Sequence, residues 1–207
     1  MADSKKKILY PVIFMIAITI VFTALLATLN LVFADRIHQQ SLLKEQASIL
    51  YVFDIPHQDT SESVLETYQQ FVEEDMVLST PYYRYHKGGQ TMGHAFKIQG
   101  AGLWGGIEAV LAFDPSFDHL LGITFLEHSE TPGLGGRIDE RWYQDQFRQI
   151  PLDRNAGTPY LIYRPATHGN VDAISGATST SNAVLSIFNE EIHHILSVLM
   201  EEVRREP

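Results

Sequence analysis

The sequence contains no cysteine, so neither a disulfide nor a thiolate metal site is available. Any part outside a membrane must hold together through its core alone. Basic residues are few: 15 Lys and Arg stand against 25 Asp and Glu, a formal net charge of −10. That balance, with no basic patch, argues against a nucleic-acid partner. Several familiar chemistries are missing too. No GxxxxGK(S/T), no GxGxxG opening a helix, no GxSxG and no HExxH occurs, which removes the P-loop, dinucleotide, serine-hydrolase and zinc-protease readings. The nine histidines are scattered. His193 and His194 fall on different faces of a helix, and His128-Ser129-Glu130 is only a fragment of a metal site, so no metal centre is predicted. There is no internal repeat and no low-complexity linker.

What the chain does have is a long uncharged run. Residues 8–34, ILYPVIFMIAITIVFTALLATLNLVFA, carry no charge. As a helix they reach roughly 40 Å, enough to cross a hydrocarbon layer of about 30 Å with some tilt. A cleaved signal peptide is the rival reading, since Val32-Phe33-Ala34 faintly resembles a cleavage site. Signal cores run only about 7–15 residues, so an uncleaved anchor is the better fit. Lys5, Lys6 and Lys7 precede the run, while Asp35, Arg36 and His38 follow it. This bias keeps the N-terminus cytoplasmic and sends the rest outside, to the periplasmic face of a bacterial inner membrane. Thr19, Thr23, Ala27, Asn30 and Ala34 share one helical face. Such a small and weakly polar stripe suits packing against other membrane helices, although Thr and Ala are common in any span.

Beyond the anchor, Gln39–Phe53 has helical spacing and is broken by Pro56. A second helix is predicted over 63–77, with Val64, Leu65, Tyr68, Phe71 and Val72 on one face and Ser61 or Ser63 as its cap. Strands are predicted at 82–86 and 93–98, joined by the turn Lys87-Gly88-Gly89-Gln90. A hairpin of 105–113 and 119–126 turns at Asp114-Pro115-Ser116. A glycine-rich loop covers 128–138, a short helix 140–149 and a further strand 159–163. The terminal helix is predicted over 182–205, with Val184, Phe188, Ile192, Ile195 and Leu199 inward and Arg204 and Arg205 complementing its dipole. The fold class expected is α+β, one small domain with a largely antiparallel sheet behind a single transmembrane helix. The predicted boundaries are a tail at 1–7, the transmembrane helix at 8–34, a helical stalk at 35–60 and the domain at 61–207.

Three stretches are candidate sites. HSETPGLGGRI, His128 to Ile138, holds Gly133, Gly135 and Gly136. These let backbone approach a flat ligand, though a tight strand-to-helix connection also explains them. GAGLWGGI, Gly100 to Ile107, frames Trp104 with small residues, a wall for a planar ring or a core tryptophan. DAISGATSTSNAV, Asp172 to Val184, packs five hydroxyls into the seven positions Ser175 to Ser181. Thr180 and Ser181 are N-cap candidates, which leaves Ser175-Gly176-Ala177-Thr178-Ser179 unexplained. Amides at a helix start favour an anion, and small residues leave room for a phosphate.

Asp172-x-x-Ser175-Gly176-Ala177-Thr178 resembles the flavinylation motif of the FMN-binding domain family, and HSETPGLG and GLWGGI resemble its other signatures in the expected order. The family includes the G-type polypeptide of Rnf electron-transport complexes and the C-type polypeptide of sodium-pumping NADH:quinone oxidoreductases. The short chain with its compact stalk is more similar to the former. The resemblance implies an electron-transfer subunit that bears FMN through a phosphoester on Thr178, rather than an enzyme on its own. It implies a flavin transferase that uses FAD, and partner membrane subunits of an ion-translocating Rnf-type complex. The cofactor would be held by Asp172, Ser175, Gly176, Ala177, Thr180 and Ser181, with the ring among Trp104, Glu130, Thr131, Gly133, Leu134 and Gly135. Ser179 stands where the motif often has an apolar residue and Gly106 where the family often has Pro. Neither touches the bond itself, but Gly106 loosens that wall. A stand-alone flavinylated carrier and a tethered binding module without flavin are the alternatives.

Overall fold

The computed structural model describes residues 2–78, 80–154 and 157–205. The side chains of Lys5, Lys6, Lys7, Arg204 and Arg205, on which the charge readings at the two ends rest, lie outside the described residues. Contacts divide the chain into Met1–Leu42 and Leu43–Pro207. The first unit is helical throughout its described length. It belongs to α1 (Ala2–Val52), which carries Pro11 inside it, and its residues from Leu9 to Leu42 are exposed. Thr19 and Thr28 donate their hydroxyls back to the Met15 and Ala24 carbonyls, both at 2.8 Å. The helix thereby satisfies those polar groups itself, as a hydrocarbon environment demands. It is long and apolar enough to cross a membrane once.

The second unit is built on a six-stranded sheet in the order β1-β2-β3-β4-β5-β6, every neighbour antiparallel. The strands are β1 (Val72–Val77), β2 (Thr80–Lys87), β3 (Gln90–Ala101), β4 (Gly106–Phe113), β5 (His119–His128) and β6 (Ile150–Pro151). The expected α+β class with a largely antiparallel sheet is borne out. Strand alternation serves two cores at once. Phe96, Ile98, Leu111 and Phe113 join one cluster, while Ala95, Val110 and Ala112 join the other. The second cluster takes in Ile49, Leu50 and Val52 from the end of α1, Phe53 just after it, and Val64 and Tyr68 from α2 (Ser61–Phe71). The hairpin turn at Asp114 forms as expected, because its carboxylate accepts the N–H groups of Ser116, Asp118 and His119.

Three expectations need correction. The helix predicted over 63–77 stops at Phe71, and residues 72–77 are β1, paired with β2 from Val72–Tyr85 to Val77–Thr80. Glu73, Glu74 and Asp75 lie on that edge strand, where charge discourages further pairing. The cap of α2 is Thr60, whose hydroxyl accepts the Ser63 N–H at 3.3 Å. The Ser63 hydroxyl instead accepts the Gln58 N–H. No strand forms over 159–163; Tyr163 makes only an isolated bridge to Val171. Side chains have taken the backbone groups that a strand would need. Asn189 Oδ1 accepts the N–H groups of Tyr160 and Leu161 at 2.7 and 2.9 Å, and Asn170 Oδ1 accepts that of Ile162 at 2.9 Å.

The short helix α3 is narrower than expected (Arg141–Asp145). The terminal helix α4 starts earlier than the predicted Asn182 (Thr178–His194) and continues through a π-helical stretch, Ile195–Leu199, into α5 (Met200–Arg205). Its expected stripe is buried in full. Phe188 stacks on Phe125 of β5 with ring centroids 5.7 Å apart, fixing α4 to the sheet. Asn189 on this helix also donates to the carbonyls of Leu161 and Leu185 at 3.0 and 2.9 Å. Asn189→Ala strands donors and acceptors of a part-buried loop together, and its expected cost is about 2–3 kcal/mol. Denaturant unfolding of the full chain in detergent checks this; an unchanged midpoint would show that water replaces the amide.

Candidate cofactor-binding site

Sheet register brings the first two candidate stretches together. Gly100 pairs with Ile107 and Ala101 with Gly106, so the β3–β4 turn spans Gly102–Gly105. Ile107 in turn pairs with His128, so the segment leaving β5 emerges beside that turn. The turn is closed by the Gly102 N–H on the Gly105 carbonyl at 2.8 Å. In the neighbouring loop the Thr131 carbonyl accepts the N–H groups of Leu134 and Gly136 at 3.1 and 2.9 Å. A 3-10 turn, Gly135–Asp139, follows.

Glu130 joins these two loops to the third stretch. It is 4% exposed. Oε1 accepts the backbone N–H groups of Leu103 at 2.7 Å and Trp104 at 3.2 Å. Oε2 accepts the Thr180 hydroxyl at 2.6 Å. Its own N–H is taken by His128 Nδ1 at 3.1 Å, and His128 Nε2 meets Asp139 at 3.0 Å. Gly135 makes the approach possible: a Cβ there would lie 2.4 Å from Thr180 Oγ1 and 2.8 Å from Glu130 Oε2.

The start of α4 differs from the sequence expectation in one respect. Its N-cap is Ala177, and no side chain caps it. Thr180 and Ser181 lie inside the first turn, both buried, with their hydroxyls bonded elsewhere. Thr180 bonds Glu130, and the Ser181 hydroxyl accepts the Ile174 N–H at 3.0 Å. Beneath them Tyr143 and Tyr163 pair through their hydroxyls at 2.9 Å, and Tyr163 donates to the Ser181 carbonyl at 2.8 Å. Burial holds both phenols above the usual tyrosine value, so both remain protonated donors at neutral pH. Gly176, at φ +81, provides the left-handed residue that turns the chain into the helix.

Among these segments lies a cleft of about 370 Å³, at the small end of ordinary ligand pockets. The expected residues Trp104, Glu130, Thr131, Leu134, Gly135, Gly176, Ala177, Thr178 and Thr180 line it, together with Leu103 and Ser179. Leu103 and Ser179 were legible only as neighbours of Trp104 and Thr178. Asp172, Ser175, Gly133 and Ser181 are not among its lining residues. A larger cleft of about 610 Å³ surrounds Tyr51, Arg141 and Gln144, but none of the three lining stretches of the smaller cleft contributes a loop glycine or hydroxyl there. The smaller cleft has the relevant chemistry. Trp104 is 68% exposed and Leu134 49%, offering apolar faces to a ring. Thr178, exposed, is the first residue of α4, where the amides have no intrahelical acceptor and no side-chain cap. That end suits a phosphate. These residues fit FMN.

Comparison with known proteins agrees. The profile of the FMN-binding domain matches residues 102–193, which hold every residue that lines the cleft. Over 200 residues the chain is 30% identical to the G-type polypeptide of the ion-translocating oxidoreductase complex of Methanosarcina acetivorans, covering 94% of this chain and 97% of that one. It is 38% identical over 107 residues to the C-type polypeptide of the Na(+)-translocating NADH-quinone reductase of Yersinia pestis. That match spans 49% of this chain but only 40% of its relative. The crystal structure of the corresponding C-type polypeptide from Parabacteroides distasonis superposes with a TM-score of 0.66 at 20% identity, over 77% of this chain and 92% of that one. The latter likeness establishes the fold. Class and family thus coincide: the chain carries an FMN-binding domain behind an apolar helix, and it belongs to the family of the G-type polypeptide of ion-translocating oxidoreductase complexes.

Because Thr180 is not a cap, its hydroxyl matters through Glu130. Thr180→Val keeps the shape and removes the donor, and the expected loss is about 1.5–3 kcal/mol, the usual worth of a bond to a charged group. Thermal unfolding measures it; a loss of a few tenths would mean that Glu130 holds the loops without Thr180.

Proposed function

We propose that the chain is a membrane-anchored electron-transfer subunit that bears FMN on Thr178, within an ion-translocating complex of the Rnf type. The observation that supports it most directly is an exposed threonine at a helix start without a side-chain cap, lining a cleft walled by Trp104 and Leu134. FMN supplies one- and two-electron transfer when bound, and the protein's part is placement and tuning. The first-turn amides of α4 would neutralise the phosphate charge. Trp104, Leu103 and Leu134 would shield the ring, and Glu130 holds their loops in place.

Attachment needs a separate flavin transferase, because a threonine hydroxyl is a poor nucleophile unaided. In that step the Thr178 oxygen would form a bond to the FMN phosphorus of FAD. The pyrophosphate bond breaks, AMP leaves, and the threonine proton is lost to base. A covalent bond keeps a cofactor that could not be replaced readily outside the cytoplasm, which is where the three lysines ahead of α1's apolar run would direct the domain. The anchor stripe of Thr19, Thr23, Ala27, Asn30 and Ala34 would face partner membrane subunits. On this reading the complex couples electron transfer between ferredoxin and NAD to ion movement.

Membership of a sodium-translocating NADH:quinone reductase is the second reading, favoured by the higher local identity to its C-type polypeptide. Coverage favours the first: the Methanosarcina acetivorans relative is matched along nearly its whole length. Thr178→Ala should abolish in-gel flavin fluorescence after coexpression with the transferase while leaving the fold intact, since the side chain is exposed. Retained fluorescence would place the flavin elsewhere.

A further inference from the structure

Asp172 leads the attachment motif, yet it stands outside the cleft. Its neighbours Val171 and Ile174 are buried in the main core, so the segment is already fixed in space on both sides. Two residues outside the motif nevertheless hold Asp172 itself. Gln146, just beyond α3, grips its main chain in both directions: Nε2 donates to the Asp172 carbonyl at 3.0 Å, and Oε1 accepts the Asp172 N–H. Arg164 holds the other side. Its Nη1 meets the Asp172 carboxylate at 2.7 Å, and its Nη2 donates to the Asn170 carbonyl at 2.9 Å.

Stability alone does not account for this arrangement. The Arg164 and Asp172 side chains are 51% and 57% exposed, and ion pairs that open to water contribute little. What the four contacts do fix is the orientation of one exposed carboxylate and of the peptide groups on either side of it. A segment held in one pose spares its partner the entropy of ordering it.

On the reading that FMN is attached at Thr178, on which this inference rests, we propose that Gln146 and Arg164 are positioning residues for attachment. They present Asp172 and the loop that follows it to the flavin transferase in a single conformation. Neither touches Thr178 or lines the cleft, so their effect falls on recognition of the acceptor chain and not on the finished site.

The test follows flavin incorporation over time into the full-length chain in detergent, with transferase and FAD supplied. Gln146→Ala should slow incorporation about tenfold at low acceptor concentration, the equivalent of losing two hydrogen bonds of ordinary net worth. The KM for the acceptor chain should rise while kcat and the final flavin content stay near wild type. In the protein without flavin, amide exchange at Asp172 should accelerate. Arg164→Ala, at an exposed position, should act in the same direction and guards against misfolding of the first variant. Wild-type rates in both variants would overturn the proposal, as would slowing confined to kcat. If the wild-type chain itself takes no flavin, the Thr178 reading fails and the clamp fails with it; normal wild-type loading beside unchanged variants refutes the clamp alone.

Discussion

The buried carboxylate of Glu130 is the constraint on which the site depends. Its two oxygens receive donors from the β3–β4 turn and from the first turn of α4. These segments are far apart in sequence, and the carboxylate stands on the loop between them. A carboxylate taken out of water is costly unless its oxygens are satisfied. Each donor must therefore be in place for the others to be tolerable, and a half-formed site is worse than none. The Trp104 wall and the Thr178 helix start are thereby set relative to each other by the protein itself, ahead of any cofactor.

This arrangement explains why so many hydroxyls crowd one helix start. They do not cap it. Thr180 and Ser181 turn inward, one to Glu130 and one to the Ile174 amide. The helix end is consequently left without a side-chain cap, and Thr178, its first residue, is exposed and lines the cleft. An uncapped helix start is a small sacrifice in stability that leaves donors available for a phosphate.

Much of the fold was legible in the sequence, and the exceptions have physical causes. The two hairpins followed from alternation and from turn residues whose roles are local, such as Asp114 closing its own turn. The inward stripe of α4 followed from its period. The change from α2 to β1 at Val72 did not, because Val64, Tyr68, Phe71 and Val72 keep helical spacing up to the residue where pairing with β2 takes over. The absent strand at 159–163 was beyond reach for a different reason: Asn189 and Asn170, both outside that stretch, occupy its backbone groups. At the cleft, the motifs picked out the segments that meet there and nine of its lining residues. Their division of labour was hidden. Nothing local shows that Thr180 reaches Glu130 fifty residues away, or that Asp172 stands outside the cleft beside Gln146 and Arg164.

The central claim is that one hydroxyl among five is the attachment point, and that it belongs to Thr178, the exposed first residue of α4 on the cleft. Tandem mass spectrometry of proteolytic peptides from chain matured with the transferase tests it most directly. The expected result is the mass of FMN less one water on Thr178 and on no other residue of the Ser175–Ser181 stretch. The same mass on Ser175, Ser179, Thr180 or Ser181, or no added mass anywhere in the chain, would contradict it.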